Sequence, residues 1–177
     1  GGDKPKRVAF IQCVGSRDPE TNPACSRYCC ASSVKQSLAL ARKDVESIVL
    51  YRDMRTQAHS MEEMYREARG EGVIFFRYPD EVKPEVMGKN RAEKVRFHEN
   101  LMNEDMEFEV DAVVLAVAIR PLDEQCSRLR EMLKVPRSPD GFMMERHPKL
   151  GPVETTVDGI FLAGTVQGPK DLVDTVA

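Results

Sequence analysis

Four of the five cysteines in this chain, Cys13, Cys25, Cys29 and Cys30, fall within residues 13–30 in the spacing C-x11-C-x3-C-C, while Cys126 stands alone. Thiols gathered in this way ligate zinc, hold an iron–sulfur cluster or cycle between thiol and disulfide. The count is odd and no apolar secretory leader is present, which argues for a reducing, cytoplasmic setting where clustered thiols bind metal or do redox chemistry. The spacing is neither the C-x2-C-x2-C-x3-C of bacterial ferredoxins nor the paired C-x2-C knuckles of structural zinc. A [4Fe-4S] cluster is the leading reading of the residues. A zinc site, a reactive thiol pair and buried small apolar side chains remain open beside it.

The elements around these residues decide what they can share. Arg7 to Cys13, RVAFIQC, reads as a buried first strand, VGSRDPETNPA as a loop, and the text from about Ser26 as a helix with Val34, Leu38 and Ala41 on its apolar face. On that reading Cys25 and Cys29 share a helical face, Cys30 lies about 100° further round, and Cys13 comes back from the strand end. In a nucleotide-binding unit this turn would carry G-x-G-x-x-G to hold a pyrophosphate on the helix N-terminus. Here it carries only Gly15 and four cysteines. Thiolates have replaced the phosphate cradle, and the anion preference of the helix N-terminus is kept.

Further along, Ile48 to Arg52 gives a second strand. Ser60 with Glu63 makes a capping box for a helix closed by Gly70 or Gly72, and Val73 to Tyr78 gives a third strand. This β-α-β-α-β order implies an α/β fold, a Rossmann-like parallel sheet with right-handed crossovers. KVRFHE (Lys94 to Glu99) and MEFEV (Met106 to Val110) alternate around a polar NED turn as an antiparallel hairpin. DAVVLAVAIRP then reads as a strand buried on both faces. After it come a helix in LDEQCSRLREMLK, a loop-rich stretch, a last strand from Ile160 to Gly164, and a helix beginning near Lys170.

Composition excludes other classes. With 177 residues, 41% hydrophobic, 31% charged, a formal charge of -3 and a pI near 5.7, the chain suits a globular fold with no field to gather nucleic acid. Its longest apolar run, Ala112 to Ile119, is far short of the ~20 residues of a membrane span. Both ends read as cut from something longer. His59, His98 and His147 are isolated and take no ligand role, and Cys126 reads as a plain thiol. Arg52, Asp53 and Arg55 follow the second strand, where a Rossmann enzyme reads a ribose; without a phosphate turn they read as a solvated loop or a partner contact. The apolar strand ending in Ala163-Gly164 before a helix start offers backbone N–H groups to an anionic or electron-rich ring.

Taken in order, VAFIQCVGSRD, CSRYCCASSVKQSLALA, YRDMRT, VVLAVAIRP and VETTVDGIFLAGTVQGPKD resemble the heterodisulfide reductase A protein and its relatives, including quinone-interacting oxidoreductases, over nearly the whole chain. The resemblance implies a pyridine-nucleotide-disulfide-oxidoreductase-like flavoprotein of two interleaved Rossmann-like domains. Its nucleotide domain carries a [4Fe-4S] cluster on the cysteines matching Cys13, Cys25, Cys29 and Cys30. It further implies FAD and ferredoxin-type clusters in the full-length protein, electron transfer between partners and, in several members, electron bifurcation at the flavin. DGIFLAGTVQGPKD resembles the second FAD motif of such proteins: Gly164 matches, and Thr165 stands where an acid usually bonds the ribityl chain. Val166, Gln167 and Lys170 would lie near the isoalloxazine. VVLAVAIRP resembles the A-T-G-x-x-P crossover with Val117 and Ala118 in place of Thr and Gly.

The N-terminal G-x-G-x-x-G and the ferredoxin cysteine runs are missing. The expectation is therefore a fragment: residues 7–118 as a nucleotide-domain-like unit with the cysteine cluster, and residues 119–177 as a partial return segment of an FAD domain. FAD would bind it weakly or not at all. The expected role is electron transfer between cluster and FAD, with no catalytic acid or base of its own. Partners would be other oxidoreductase subunits and iron–sulfur carriers, and a homodimer is compatible. A non-catalytic docking module with zinc or bare thiols is the alternative; an NAD(P)H-dependent reductase would need nucleotide affinity without the glycines.

Overall fold

The computed structural model describes residues 4–121 and 123–176. Strands β1 (Arg7–Val14), β2 (Glu46–Tyr51), β3 (Ile74–Arg77), β4 (Glu85–Met87), β5 (Lys94–Glu99), β6 (Glu104–Glu109) and β7 (Ala112–Val117) are joined by helices α1 (Cys29–Ala41) and α2 (Met61–Gly70), and followed by α3 (Asp123–Leu133) and α4 (Leu172–Val176). The chain forms two compact units: residues up to Val14 with Cys29–Val117, and Gly15–Tyr28 with the residues from Ala118 onward.

In the first unit, strand alternation builds a core on each face of one sheet. Parallel strands lie in the order β3-β2-β1-β7. Val8 and Phe10 of β1 and Val49 of β2 turn toward α1 and α2, where Val34, Leu38 and Ala68 meet them. Ala9, Ile11, Ile48 and Leu50 turn the other way, onto Val95, Phe97 and Phe108 of the β4-β5-β6 antiparallel sheet. Rings of Phe76, Phe97 and Phe108 lie 5.4 to 6.0 Å apart there, in the range where aromatic pairs attract. The parallel Rossmann-like sheet and the antiparallel hairpin are thus both present, but Glu104 and Asp105, expected in the hairpin's turn, already belong to β6 and pair with Glu99 and His98 of β5.

Several local expectations are corrected. Helix α1 starts at Cys29, not Ser26, because Arg27 sits at φ 61°, outside the helical region. Cys25 therefore shares no helical face with Cys29. Ser60 lies at φ 62° and makes no side-chain cap bond, so the Ser60–Glu63 capping box does not form; Gly72 at φ 88° ends that helix with its N–H on Arg69 O. Strand β7 is not buried on both faces. As an edge strand it leaves Leu115 49% and Val117 55% exposed.

In the second unit, Val135, Met143 and Leu162 form a small core with Leu133, Ile160 and Val166 around them. Residues 160–164 make no strand. Phe161 forms one isolated bridge to Glu154, and Gly164 at φ 67° turns the chain into a 3-10 turn, Gly164–Gln167. The helix expected near Lys170 begins at Leu172.

Candidate functional site

In the first unit, Cys13 lies next to the last residue of β1, and Cys29 and Cys30 are the first two residues of α1. Cys13 has φ 59°, and the β1–β7 register shifts between Ile11 and Val14. Such irregularities re-aim a side chain, and a non-glycine residue in this region costs about 1–3 kcal/mol, which the surrounding fold must offset. Cys29 and Cys30, 3% and 4% exposed, open α1 on its buried face with Ser33, Val34, Ser37 and Leu38. The Cys30 thiol donates to Asp53 O at 3.8 Å. Gln12, one residue before Cys13, is wholly buried, and neither its amide nitrogen nor its amide oxygen has a hydrogen-bond partner.

Cys25 belongs to the loop Gly15–Tyr28 of the second unit. The loop is bonded to itself: Arg17 N donates to Ala24 O, Asp18 N to Asn22 O, and Thr21 Oγ1 to Gly15 O. Buried Ser26 accepts from Ile119 N at 3.0 Å, and Asn22 Nδ2 donates to Ile119 O at 3.3 Å. Arg27 N donates to Cys25 Sγ at 3.3 Å, a contact that suits an anionic sulfur. Among the described residues, no three His, Cys, Asp or Glu side chains are grouped to hold a metal ion.

A cleft of about 450 Å³ opens in the second unit. Ile119, Arg120 and Pro121 line it together with Ala163, Thr165 and Val166, and Cys126 and Phe142 complete the wall. Two segments far apart in sequence, the end of VVLAVAIRP and the start of GTVQ, therefore face one space. Thr165 and Val166 are placed there; Gly164, Gln167 and Lys170 are not among the lining residues. Gln167 Nε2 donates to Pro152 O at 2.8 Å and its Oε1 accepts from Lys170 Nζ at 2.9 Å, so these two side chains brace the turn. Sequence reasoning does not place Cys126 and Phe142 in this wall. A lone cysteine and a phenylalanine in a loop carry no sequence signal of a cleft.

The remaining candidates have structural duties. Arg52, 7% exposed, pairs with Asp80, while Arg77 bonds Arg52 O and Asp53 Oδ1, so this loop is tied into an ion network. His98 Nδ1 lies 2.8 Å from Asp105 Oδ1, and that hydrogen bond raises the imidazole above its ordinary value. His147 Nδ1 accepts N–H bonds from Lys149 and Leu150. A second concavity in the first unit, about 550 Å³, mixes Lys6, Arg7, Arg91 and Lys94 with Glu46, Glu93, Glu109 and Asp111. Its charges cancel. Described residues include no helix long and apolar enough to cross a membrane.

No family model matches the chain. The second of the CoB–CoM heterodisulfide reductase iron-sulfur A proteins of Methanopyrus kandleri is 45% identical over 181 residues, taking in 99% of this chain and 27% of that protein. The A component of the H(2):CoB-CoM heterodisulfide,ferredoxin reductase of Methanothermobacter marburgensis is 42% identical with the same coverage. The A component of the ferredoxin:CoB-CoM heterodisulfide reductase of Methanosarcina acetivorans is 39% identical over 100% of this chain and 22% of its own length. Among solved structures, thioredoxin reductases of Lactococcus lactis and T. acidophilum superpose with TM-scores of 0.57 and 0.56 at 19% and 15% identity. They cover 96% and 93% of this chain, and 47% and 45% of their own, which establishes the fold. The chain spans 27% of the length of the first two of these relatives and is homologous from end to end with that segment of the heterodisulfide reductase A proteins.

Proposed function

We propose that this chain is an electron-transfer segment of an iron–sulfur flavoprotein oxidoreductase of the heterodisulfide reductase A type. Cys13, Cys25, Cys29 and Cys30 would hold a [4Fe-4S] cluster, and the cleft beside Thr165 and Val166 would border FAD. One observation carries the reading: the strand-to-helix turn that holds phosphates in a nucleotide domain here carries thiols on left-handed and buried backbone, with Cys13 at φ 59° and Cys29 and Cys30 opening α1. The relative that is 45% identical is named for its iron and sulfur, which supports it further.

The chemistry of the donor set supports this reading. Its chemistry is soft thiolate, one sulfur already accepts a backbone N–H from Arg27, and the first turn of α1 begins at two of the thiols, where a helix presents its N–H groups. A four-iron cluster is a body several ångströms across, so its thiolates stand farther apart than the ligands of a single ion. The cluster, when bound, supplies one-electron transfer, and FAD couples one- and two-electron steps. This chain's own residues would fix the sulfurs, exclude water around Cys29 and Cys30, and set potential through the charges of Arg17, Arg27 and Lys35. Thr165 would offer its hydroxyl to the ribityl chain, and the Gln167–Lys170 pair would hold the turn that presents it.

No residue in this reading acts as acid or base. The domain reading follows: residues 7–118 would be the cluster-bearing nucleotide-domain-like unit, and 119–177 the return part of an FAD domain. FAD would bind the isolated chain weakly, because no G-x-G-x-x-G is present to hold its pyrophosphate. Its partners would be other components of a cytoplasmic oxidoreductase complex and their iron–sulfur carriers, with a homodimer compatible.

The test is an anaerobic preparation with iron and acid-labile sulfide counted. About four of each per chain are expected, with loss on Cys29→Ala. Zinc in place of iron, or neither metal nor sulfide from strictly anaerobic material, overturns the reading and favours a docking module.

A further inference from the structure

We infer that Gln12 is a positioning residue of the thiol site, donating a side-chain amide hydrogen bond to an anionic sulfur there. The inference rests on the cluster reading above. Gln12 is 0% exposed, and both Nε2 and Oε1 lack partners. Such groups are few in folded proteins and each calls for a cause, since an unmet buried donor or acceptor is costly. Leucine or methionine would fill the same volume without that cost.

The topology says what the amide is near. Alternation puts Val8, Phe10 and, one step on, Gln12 on the helix face of β1, and Val8 and Phe10 share a core with Val34 and Leu38 of α1. In a β-α unit the helix runs back along the strand. Stepping from Phe10 to Gln12 therefore corresponds to stepping from Val34 to Cys30, one turn nearer the start of α1. Gln12 is also the chain neighbour of Cys13. Its backbone is held by the Tyr78 hydroxyl, which donates to Gln12 O at 2.6 Å, immediately before the left-handed residue. By this register Gln12 falls between the sequence neighbour that carries one thiol and the helix end that carries two more. Its nitrogen and oxygen exchange places by rotation about one bond, so the donor end can face sulfur.

Hydrogen bonds to cluster sulfurs favour the more negative, reduced state and raise the reduction potential. Removing this donor should weaken reduction about tenfold, equivalent to about 59 mV for one electron. The experiment compares wild type with Gln12→Met and Gln12→Leu in the cluster-loaded protein, by redox titration followed by electron paramagnetic resonance. Both variants are expected to keep their iron and show the lower midpoint.

A second measurement needs no variant: wild type grown with glutamine labelled with 15N in the side-chain amide should show hyperfine coupling of that nitrogen to the reduced cluster. Midpoints unchanged at full iron content, or no 15N coupling in wild type, overturn the role of Gln12 while leaving the cluster reading intact. Wild type without iron and sulfide overturns both.

Discussion

The two units satisfy their apolar side chains very differently. In the first, one sheet separates two buried clusters, and Phe10, Val34, Val49, Ile48 and Leu50 are all at or below 1% exposure. In the second, three buried residues make the core, while Met132, Phe161, Leu172 and Val173 are 65% to 79% exposed. Stability should follow that difference, because burial of apolar area is the main favourable term in folding. The first unit can hold strained backbone at Cys13 because a two-sided core over-determines it. The second has loop hydrogen bonds such as Ile119 N to Ser26 Oγ beside its small core, and it carries the cleft.

The largest expected effect tests the dense side. Phe10→Ala should lower the stability of the first unit by about 3–5 kcal/mol, measured by denaturant unfolding, since the ring is 1% exposed and packed against α1. Leu162→Ala in the small core should cost about 2 kcal/mol, at the low end for such truncations, because few neighbours close around it. Amide exchange sharpens the contrast: β1 and β2 should exchange slowest and residues 145–165 fastest. Equal costs and equal protection would break the comparison.

A smaller effect isolates the hairpin. Glu99, 3% exposed, accepts N–H bonds from Leu101 at 2.8 Å, Met102 at 2.6 Å and Arg77 at 3.3 Å. It fixes a turn whose Leu101 and Met102 side chains are left outside, 78% and 52% exposed. Glu99→Gln keeps the shape but removes the charge from these bonds. The expected loss is about 1–2 kcal/mol with faster exchange at the two turn amides.

The same contrast governs what the sequence discloses. Periodicity suffices where packing is two-sided: RVAFIQC, IVLYR and KVRFHE each map onto β1, β2 and β5 within two residues. It fails where backbone conformation decides. Nothing in CSRYCC reveals that Arg27 turns left-handed and delays the helix to Cys29. IFLAG has the composition of a strand, but no neighbour pairs along it, so it stays a single bridge. The three-residue β4, after Pro84, is too short to leave a pattern. At the cleft, Thr165 and Val166 are singled out in the sequence only by the resemblance of their segment to an FAD motif, whereas Cys126 and Phe142 reach the same wall only through tertiary packing. Gln12 is visible as a polar residue in an apolar run; its lack of partners is a property of the fold.

The smallest effect concerns pH and sets two parts of the first unit, the hairpin and the sheet edge, against each other. The Asp105 hydrogen bond, Asn103 and nearby Glu99 raise the His98 imidazole above its ordinary value. Its folded value therefore exceeds the unfolded one, near ~6.5. The protonated ring stabilises the hairpin fully below the unfolded value, and that contribution disappears as pH rises through the folded value. Both partners are near solvent, so the effect on stability is small and salt weakens it. An NMR titration of the His98 ring should give a midpoint above the ordinary value that falls in Asp105→Asn. Asp111 runs the opposite way. Its carboxylate is held low chiefly by the N–H groups of Arg7 and Lys6, at 2.9 and 2.7 Å. The bonds joining the starts of β1 and β7 therefore weaken as acid protonates it below the usual carboxylate range. Asp111→Asn should remove that acid dependence and leave the His98 titration unmoved; a coupled change in both would mean that the hairpin and the sheet edge respond as one electrostatic unit.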